Sequence, residues 1–280
     1  MKVIVGKTSG FCQGVSYTVS KAYESLNVGD TIYCLGEIVH NERVVDNLKK
    51  LGMIFVDDIN RIPNESKVII RAHGEKKEIY EIAKSKKLEV IDLTCGKIRI
   101  IKNKIIKANE NSFVIIIGKK NHPETLGTLS FCEQGIIIQA EEDIEEAKNA
   151  FIESGLGNIY IVSQTTFNED TFNSIVNSIK SRIRANIIVD NTICNATHER
   201  QEETRQLASE VDAMIVVGGK NSSNTKELYN VAKEKCSNVY LIQDASEINK
   251  DTLNNVQKVG IMAGASTPEE VVNEIITVLN

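Results

Sequence analysis

The chain has 280 residues, 41% of them hydrophobic and 25% charged, with a formal net charge of −5. That balance excludes the disordered and membrane-embedded classes, and the acidic sign leaves no strong basic field to attract nucleic acid. No apolar run approaches the ~20 residues that a membrane span needs.

Met1 to Gly10 reads as a strand and a polar turn without the apolar core of a signal peptide, so a cytoplasmic, reducing location is expected. Val3–Val5 is predicted as the first strand. Further strands are predicted at Thr31–Leu35, Lys67–Ile70, Phe113–Ile117, Asn158–Val162, Ile187–Val189, Met214–Val217 and Val259–Met262. Their near-continuous Val/Ile runs suit strands buried on both faces of a parallel sheet. Helical patterns lie between them at Glu78–Lys87, Glu141–Ser154 and Phe172–Arg184. Alternating strands and helices predict an α/β fold with mainly parallel sheets.

Three strand ends run into a cysteine and then a helix. They are Gly10-Phe11-Cys12, Asp92-Leu93-Thr94-Cys95 and Thr192-Ile193-Cys194. The separations, 95 − 12 = 83 and 194 − 95 = 99, suit three similar α/β units around a centre. The expected boundaries are 1–95, 96–193 and 194–280, with the first strand and the Cys12 loop packing with the third unit. Ligands of open α/β sheets bind beyond the carboxyl ends of the strands, where all three cysteines fall. Soft thiolates select iron-sulfur clusters or zinc over hard cations, and three protein sulfurs leave one metal position open. On spacing alone, ordinary buried cysteines remain the alternative. Cys34, Cys132 and Cys236 lie in apolar or helical surroundings and read as packing residues.

His40, His73 and His122 also follow strands or open loops, a pattern that suits hydrogen bonding to phosphate as well as a structural role. His198 reads as a solvated helix residue. Glu124, two residues beyond His122, is either a helix cap or the general acid of a proton-consuming reaction. Two small-residue loops follow strands and open helices. They are Gly218-Gly219-Lys220-Asn221-Ser222-Ser223-Asn224 and Ala263-Gly264-Ala265-Ser266-Thr267-Pro268. Such loops cradle anions, and the absence of Walker and dinucleotide fingerprints favours a small phosphate or diphosphate over a nucleotide.

In order along the chain stand Gly10-Phe11-Cys12, Glu37-Ile38-Val39-His40-Asn41, Ala72-His73-Gly74, Asp92-Leu93-Thr94-Cys95 and His122-Pro123-Glu124. Ser163-Gln164-Thr165-Thr166, Thr192-Ile193-Cys194-Asn195, Lys220-Asn221-Ser222-Ser223-Asn224 and Ala263-Gly264-Ala265-Ser266 follow. Together these nine segments resemble the IspH/LytB family of 4-hydroxy-3-methylbut-2-enyl diphosphate reductases over essentially the whole chain.

The resemblance implies a pseudo-threefold trefoil of α/β units around one 4Fe-4S cluster. Cys12, Cys95 and Cys194 would be its ligands, with the substrate hydroxyl on the fourth iron. It implies His40, His73, His122, Thr165, Ser222, Ser223, Asn224 and Ser266 as substrate-binding residues, and Glu124, His122 and Thr165 as the catalytic set. The implied reaction removes an allylic hydroxyl as water with two electrons and two protons, giving isopentenyl and dimethylallyl diphosphate. A small ferredoxin or flavodoxin is the implied electron donor, and no room is expected beyond the final helix for the RNA-binding-type domain that some relatives carry. The family pattern often has Pro after the second cysteine and a small residue after the first, where this chain has Gly96 and Gln13. Lys97, Arg99, Lys102, Lys104 and Lys107 read as the solvated side of a helix, with a docking face for an acidic donor as the alternative. The rival reading is a non-redox phosphosugar-binding protein containing zinc or cysteine.

Overall fold

The computed structural model describes residues 1–26 and 31–280. Its strands are β1 (Lys2–Val5), β2 (Ile32–Leu35), β3 (Ile54–Val56), β4 (Lys67–Ile70), β5 (Glu89–Asp92), β6 (Ser112–Ile117), β7 (Gly135–Ile138), β8 (Asn158–Ser163), β9 (Asn186–Val189), β10 (Ala213–Val217), β11 (Val239–Ile242) and β12 (Lys258–Ala263). Its α-helices are α1 (Gln13–Leu26), α2 (Glu42–Lys50), α3 (Lys77–Ser85), α4 (Gly96–Ala108), α5 (Pro123–Leu129), α6 (Ile144–Ser154), α7 (Glu169–Arg182), α8 (Asn195–Ala208), α9 (Ser223–Lys233) and α10 (Glu269–Leu279).

The strands form three four-stranded sheets, ordered β1-β12-β10-β11, β3-β2-β4-β5 and β7-β6-β8-β9, and every pairing is parallel. The predicted α/β class is therefore met. Read from one edge, the sheets share a plan: a strand ending before a cysteine (β1, β5 or β9), its neighbour (β12, β4 or β8), an inner strand (β10, β2 or β6) and the far edge. The first sheet completes this plan by pairing the first strand with the last, Lys2 opposite Lys258 through Val5 opposite Ile261.

Contacts group the chain into two compact units. One comprises Met1–Ser20, Val39–Lys50 and Asn195–Asn280, and contains the first sheet; the other comprises Lys21–Ile38 and Leu51–Cys194, and contains the second and third.

Burial on both faces explains the unbroken apolar runs. In β6, Phe113, Ile115 and Ile117 join a core with Phe151 of α6 and Phe172 of α7, while Val114 and Ile116 pack with Ile101 and Ile105 of α4. In β10, Ile215 and Val217 face Val271 and Ile275 of α10, while Met214 and Val216 face Leu207 of α8 and Leu228 of α9. Each fully buried Ile or Val contributes about 1.5–3 kcal/mol relative to exposure. The parallel strands all deliver their carboxyl ends to the same edge of each sheet, which is where the loops named from the sequence emerge.

Three strands lay below the sequence signal: β3, β7 and β11. The first is three residues long, and the last is bounded by polar residues. β7 opens on Gly135, and a Cβ there would come 2.7 Å from the Val114 carbonyl oxygen, so glycine is what lets it lie beside β6.

Candidate functional site

Each of the three cysteines sits immediately before a helix: Cys12 before α1, Cys95 as the cap of α4 and Cys194 before α8. One backbone device is repeated at all three. Cys12 N–H donates to Ala265 O at 3.2 Å, Cys95 N–H to Ala72 O at 2.9 Å and Cys194 N–H to Thr165 O at 2.9 Å. Each acceptor is the second residue beyond the neighbouring strand, β12, β4 or β8. The cysteine backbone is thus fastened beside a loop that carries a predicted binding residue (Ser266, His73 or Thr165 itself). The N–H of Val15, in the first turn of α1, lies 3.5 Å from Cys12 Sγ, and helix N-termini stabilise anionic groups.

No disulfide joins these thiols, and all three are half-buried. Cys34 and Cys236 are buried, as expected of packing residues, and burial pushes the Cys34 and Cys132 thiols up to about 12. The donor chemistry therefore fits a thiolate-held cluster at Cys12, Cys95 and Cys194 better than at the other cysteines. Gly96, the departure after Cys95, occupies the first helical position, and a side chain there would meet open space.

Glu124 is 3% exposed and receives two hydrogen bonds from one residue. Thr165 N–H donates at 2.6 Å and Thr165 Oγ1–H at 2.8 Å. Burial pushes the Glu124 carboxyl up to about 7; the two Thr165 hydrogen bonds and the charge of Lys102 act in the opposite direction. The carboxyl does not cap α5. His122 does, with Nδ1 accepting from Glu124 N–H at 3.1 Å. Nδ1 is thereby an acceptor, so a neutral His122 carries its proton on Nε2 as a donor. His73 meets His122 edge-on, with ring centroids 5.5 Å apart. His73 follows β4 and His122 caps α5, both within one unit.

In the other unit the two small-residue loops interlock. Gly264 N–H and Thr267 Oγ1–H both donate to Val217 O, at 2.8 and 3.0 Å. A Cβ on Gly264 would fall 2.2 Å from Thr225 Oγ1, and one on Gly219 would fall 2.4 Å from His40 O. Ser266 Oγ–H donates to His40 O at 3.4 Å. His40, Ser222, Ser223, Asn224 and Ser266 are therefore gathered by two glycine contacts. Ser222 caps α9, its Oγ accepting from Thr225 N–H, so the capping role weighed for this loop is real for Ser222. Asn224 behaves differently. It is 4% exposed, yet neither Nδ2 nor Oδ1 has a hydrogen-bond partner among the described residues. A buried, unpaired amide of this kind costs about 1–3 kcal/mol.

The inner strands repeat a spacing that the sequence reading passed over. Gly36, Gly118 and Gly218 follow β2, β6 and β10, and four residues later stand His40, His122 and Ser222. Residues of α8 were also passed over. Glu203 accepts from Lys7 N–H, Thr8 N–H and Thr8 Oγ1–H at 2.6–2.8 Å, and Arg200 Nη2 donates to Gly10 O at 2.8 Å. Together they hold the turn leading to Cys12. Their contacts are mainly with backbone atoms far away in the chain, which no local motif announces.

On the α4 face expected to be solvated, Arg99, Lys104 and Lys107 are exposed, and Lys102 is the departure. Lys102 is 6% exposed, and Arg99 turns back onto the Thr94 and Asp92 carbonyl oxygens. Lys104 pairs with Asp190 at 2.7 Å. Lys102 lies beside Ile98, Ile101 and Ile105 on the buried side, and a lysine stem is apolar enough to enter a core. His198 is exposed on α8, as read.

Residues 3–280 match the family described as LytB protein. The chain belongs to the LytB family. Among LytB relatives, a 4-hydroxy-3-methylbut-2-enyl diphosphate reductase of Aquifex aeolicus is 40% identical over 279 residues, covering 98% of this chain and 94% of the relative. One of Clostridioides difficile is 36% identical, covering 100% and 99%. The solved structure of E-1-hydroxy-2-methyl-but-2-enyl-4-diphosphate reductase from Plasmodium falciparum superposes with a TM-score of 0.91 at 32% identity, covering 99% of this chain and 87% of that one. A second solved structure, described as the terminal enzyme of the non-mevalonate pathway, matches at 39% identity and a TM-score of 0.71 over 100% and 99% of the chains. Among the described residues, no helix is long and apolar enough to cross a membrane.

Proposed function

We infer that this chain catalyses the reductive dehydroxylation of 4-hydroxy-3-methylbut-2-enyl diphosphate to isopentenyl and dimethylallyl diphosphate, the last step of the methylerythritol phosphate route. Membership of the LytB family supports the reaction, and the observation that carries the chemistry is the buried Glu124–Thr165 pair.

The resident group is one 4Fe-4S cluster, held by the thiolates of Cys12, Cys95 and Cys194. Their matching places at the ends of β1, β5 and β9, each fastened by its N–H to the neighbouring loop, support this assignment. When bound, such a cluster supplies electrons one at a time and a Lewis-acidic iron.

The protein's own residues do the rest. His40, His73, His122, Ser222, Ser223, Asn224 and Ser266 bind the diphosphate. Asn224 offers an amide with no hydrogen-bond partner among the described residues, and His122 offers its Nε2–H because Nδ1 is already engaged. Anchoring the diphosphate leaves the allylic hydroxyl one orientation. Glu124 delivers the proton that turns the departing hydroxyl into water; near pH 7 a carboxyl lifted to about 7 still holds one and can release it. Thr165 fixes the carboxyl and places its hydroxyl beside the same path. Electrons come from a small one-electron carrier such as a ferredoxin or flavodoxin.

The test is anaerobic turnover with 4-hydroxy-3-methylbut-2-enyl diphosphate and a low-potential one-electron reductant. Formation of the two C5 diphosphates is expected. A protein that carries an intact cluster and leaves this substrate unconsumed would overturn the reading.

A further inference from the structure

Lys102 is a buried cation with no place in the chemistry above. It projects from α4, the helix that opens at Cys95, and is 6% exposed. Its Nζ donates to Glu75 O at 3.0 Å, and lies 4.6 Å from the Phe131 ring and 5.5 Å from the Tyr80 ring. Burying an ammonium costs several kcal/mol unless it is compensated, so a lysine retained here must be matched by its surroundings.

Those surroundings are the junction between two loops of the site. Gly74 has φ +71°, and a Cβ there would sit 2.7 Å from Lys102 Nζ, so the turn after β4 folds directly over the ammonium. Glu75 O, the acceptor, also lies where a Cβ on Gly127 of α5 would be 3.3 Å away. Lys77 N–H completes the contact by donating to Ser130 Oγ at 2.8 Å. The turn that carries His73 is therefore pressed onto the helix that carries Glu124 and is capped by His122, with Lys102 at the seam.

We propose that Lys102 is a positioning residue. Its hydrogen bond to Glu75 O holds the His73 turn in register with His122, and its charge offsets the ionised form of Glu124. The second part rests on the reading of Glu124 as the proton donor. The groups around the ammonium are Asp92 at the end of β5, Glu75 in the turn, Tyr80 of α3 and Glu124 of α5. Arg71 answers Glu75 through an ion pair at 2.8 Å, and Lys102 is a cation whose charge opposes the rise of the Glu124 pKa. Burial lowers the Lys102 ammonium to about 8, and Asp92, Glu75 and Glu124 act against that fall, so it is charged at neutral pH.

Two variants separate the roles. Lys102→Gln keeps a donor for Glu75 O without the charge; Lys102→Met removes both. Both are prepared as anaerobic holoenzyme, with iron content and the visible spectrum measured first; these are expected to match the parent. Turnover requires protonated Glu124, so it falls as pH rises through that group's pKa. Removing the charge raises that pKa, and both variants are expected to shift the fall upward by about one pH unit. Inorganic pyrophosphate serves as the binding probe. Its affinity is expected to be near that of the parent in Lys102→Gln and about tenfold weaker in Lys102→Met. An unshifted pH fall in both variants, in a protein whose Glu124→Gln form is inactive, overturns the charge role. Equal pyrophosphate affinity in parent and Lys102→Met overturns the positioning role. If Glu124→Gln itself retains turnover, the reading of Glu124 fails, and the pyrophosphate comparison still decides the positioning role of Lys102. Should Lys102→Met not fold, Lys102→Gln carries the pH test alone, and a Lys102→Gln affinity about tenfold below the parent overturns the hydrogen-bond role.

Discussion

Thr165 gives both its backbone N–H and its hydroxyl to the carboxylate of Glu124, at 2.6 and 2.8 Å. The same residue offers its carbonyl oxygen to Cys194 N–H at 2.9 Å. One threonine thus fixes the position of a buried acid and of a half-buried thiol. The proposed proton source and one proposed cluster ligand are set by the same three bonds, which leaves little freedom between them.

The first prediction follows from that pair. Glu124→Gln fits the same space and keeps a carbonyl acceptor, so the fold and the iron content are expected to persist. Turnover is expected to fall by about 10²–10⁴-fold, the usual worth of a positioned general acid. Steady-state kinetics with parallel iron analysis checks this; turnover within twofold of the parent would remove Glu124 from the proton path.

Thr165→Val takes away the hydroxyl and leaves the N–H. A buried carboxyl that loses one donor is harder to ionise, so its pKa climbs further, and stability falls by about 1 kcal/mol. The pH at which turnover falls should move upward, while Cys194, held through the carbonyl of residue 165, keeps its place. A pH–rate profile and a thermal melt read both effects.

The raised Glu124 pKa has a defined consequence for stability. Its ordinary value is 4.5, and its folded value is about 7. The folded state therefore holds this proton more tightly than the unfolded chain. The resulting stabilisation is complete below pH 4.5 and is lost as pH rises to 7, by a few kcal/mol in all. Urea unfolding across that window should show the parent losing stability relative to Glu124→Gln. Lys102 acts in a separate window: its lowered pKa adds a cost as pH falls from 10.5 towards 8. Parallel curves for parent and Glu124→Gln between pH 4.5 and 7 would contradict the assignment.

Asn224 sets function against stability. Its amide is buried with no partner among the described residues. Asn224→Leu removes that burden and should raise the unfolding free energy by about 1–3 kcal/mol, while weakening pyrophosphate binding at least tenfold. Calorimetry and a thermal melt on the same sample give both numbers. A variant that is less stable and binds normally would mark Asn224 as a structural residue.

Gly219→Ala tests the cradle. The added Cβ would lie 2.4 Å from His40 O, a backbone atom that cannot rotate away. The expected cost is about 1–3 kcal/mol, with KM rising as His40 and Ser266 are displaced. Unchanged stability and KM would show that this contact does not hold the loop.

Much of this was legible in the sequence because its signals were local. The runs Phe113–Ile117 and Met214–Val217 are apolar at every position, which only a strand covered on both faces requires, and both are inner strands. The three cysteines could be read as strand ends followed by helices for the same reason. What escaped was non-local. Glu203 and Arg200 act on backbone atoms about 190 residues away in the chain. Lys102 carries an ordinary surface residue's name, and only the aromatic rings of Tyr80 and Phe131 and the Gly74 turn reveal it as buried. The cap weighed as one alternative for Glu124 belongs to His122, because burial and Thr165 claim the Glu124 carboxyl.

The central claim is that Cys12, Cys95 and Cys194 together hold one redox cluster. Iron and acid-labile sulfide are to be counted on anaerobically purified protein, beside its visible spectrum and that of Cys194→Ala. The account predicts a brown protein with about four irons and four sulfides per chain, and their loss in the variant. A colourless protein with one zinc, or an intact cluster in Cys194→Ala, would contradict it.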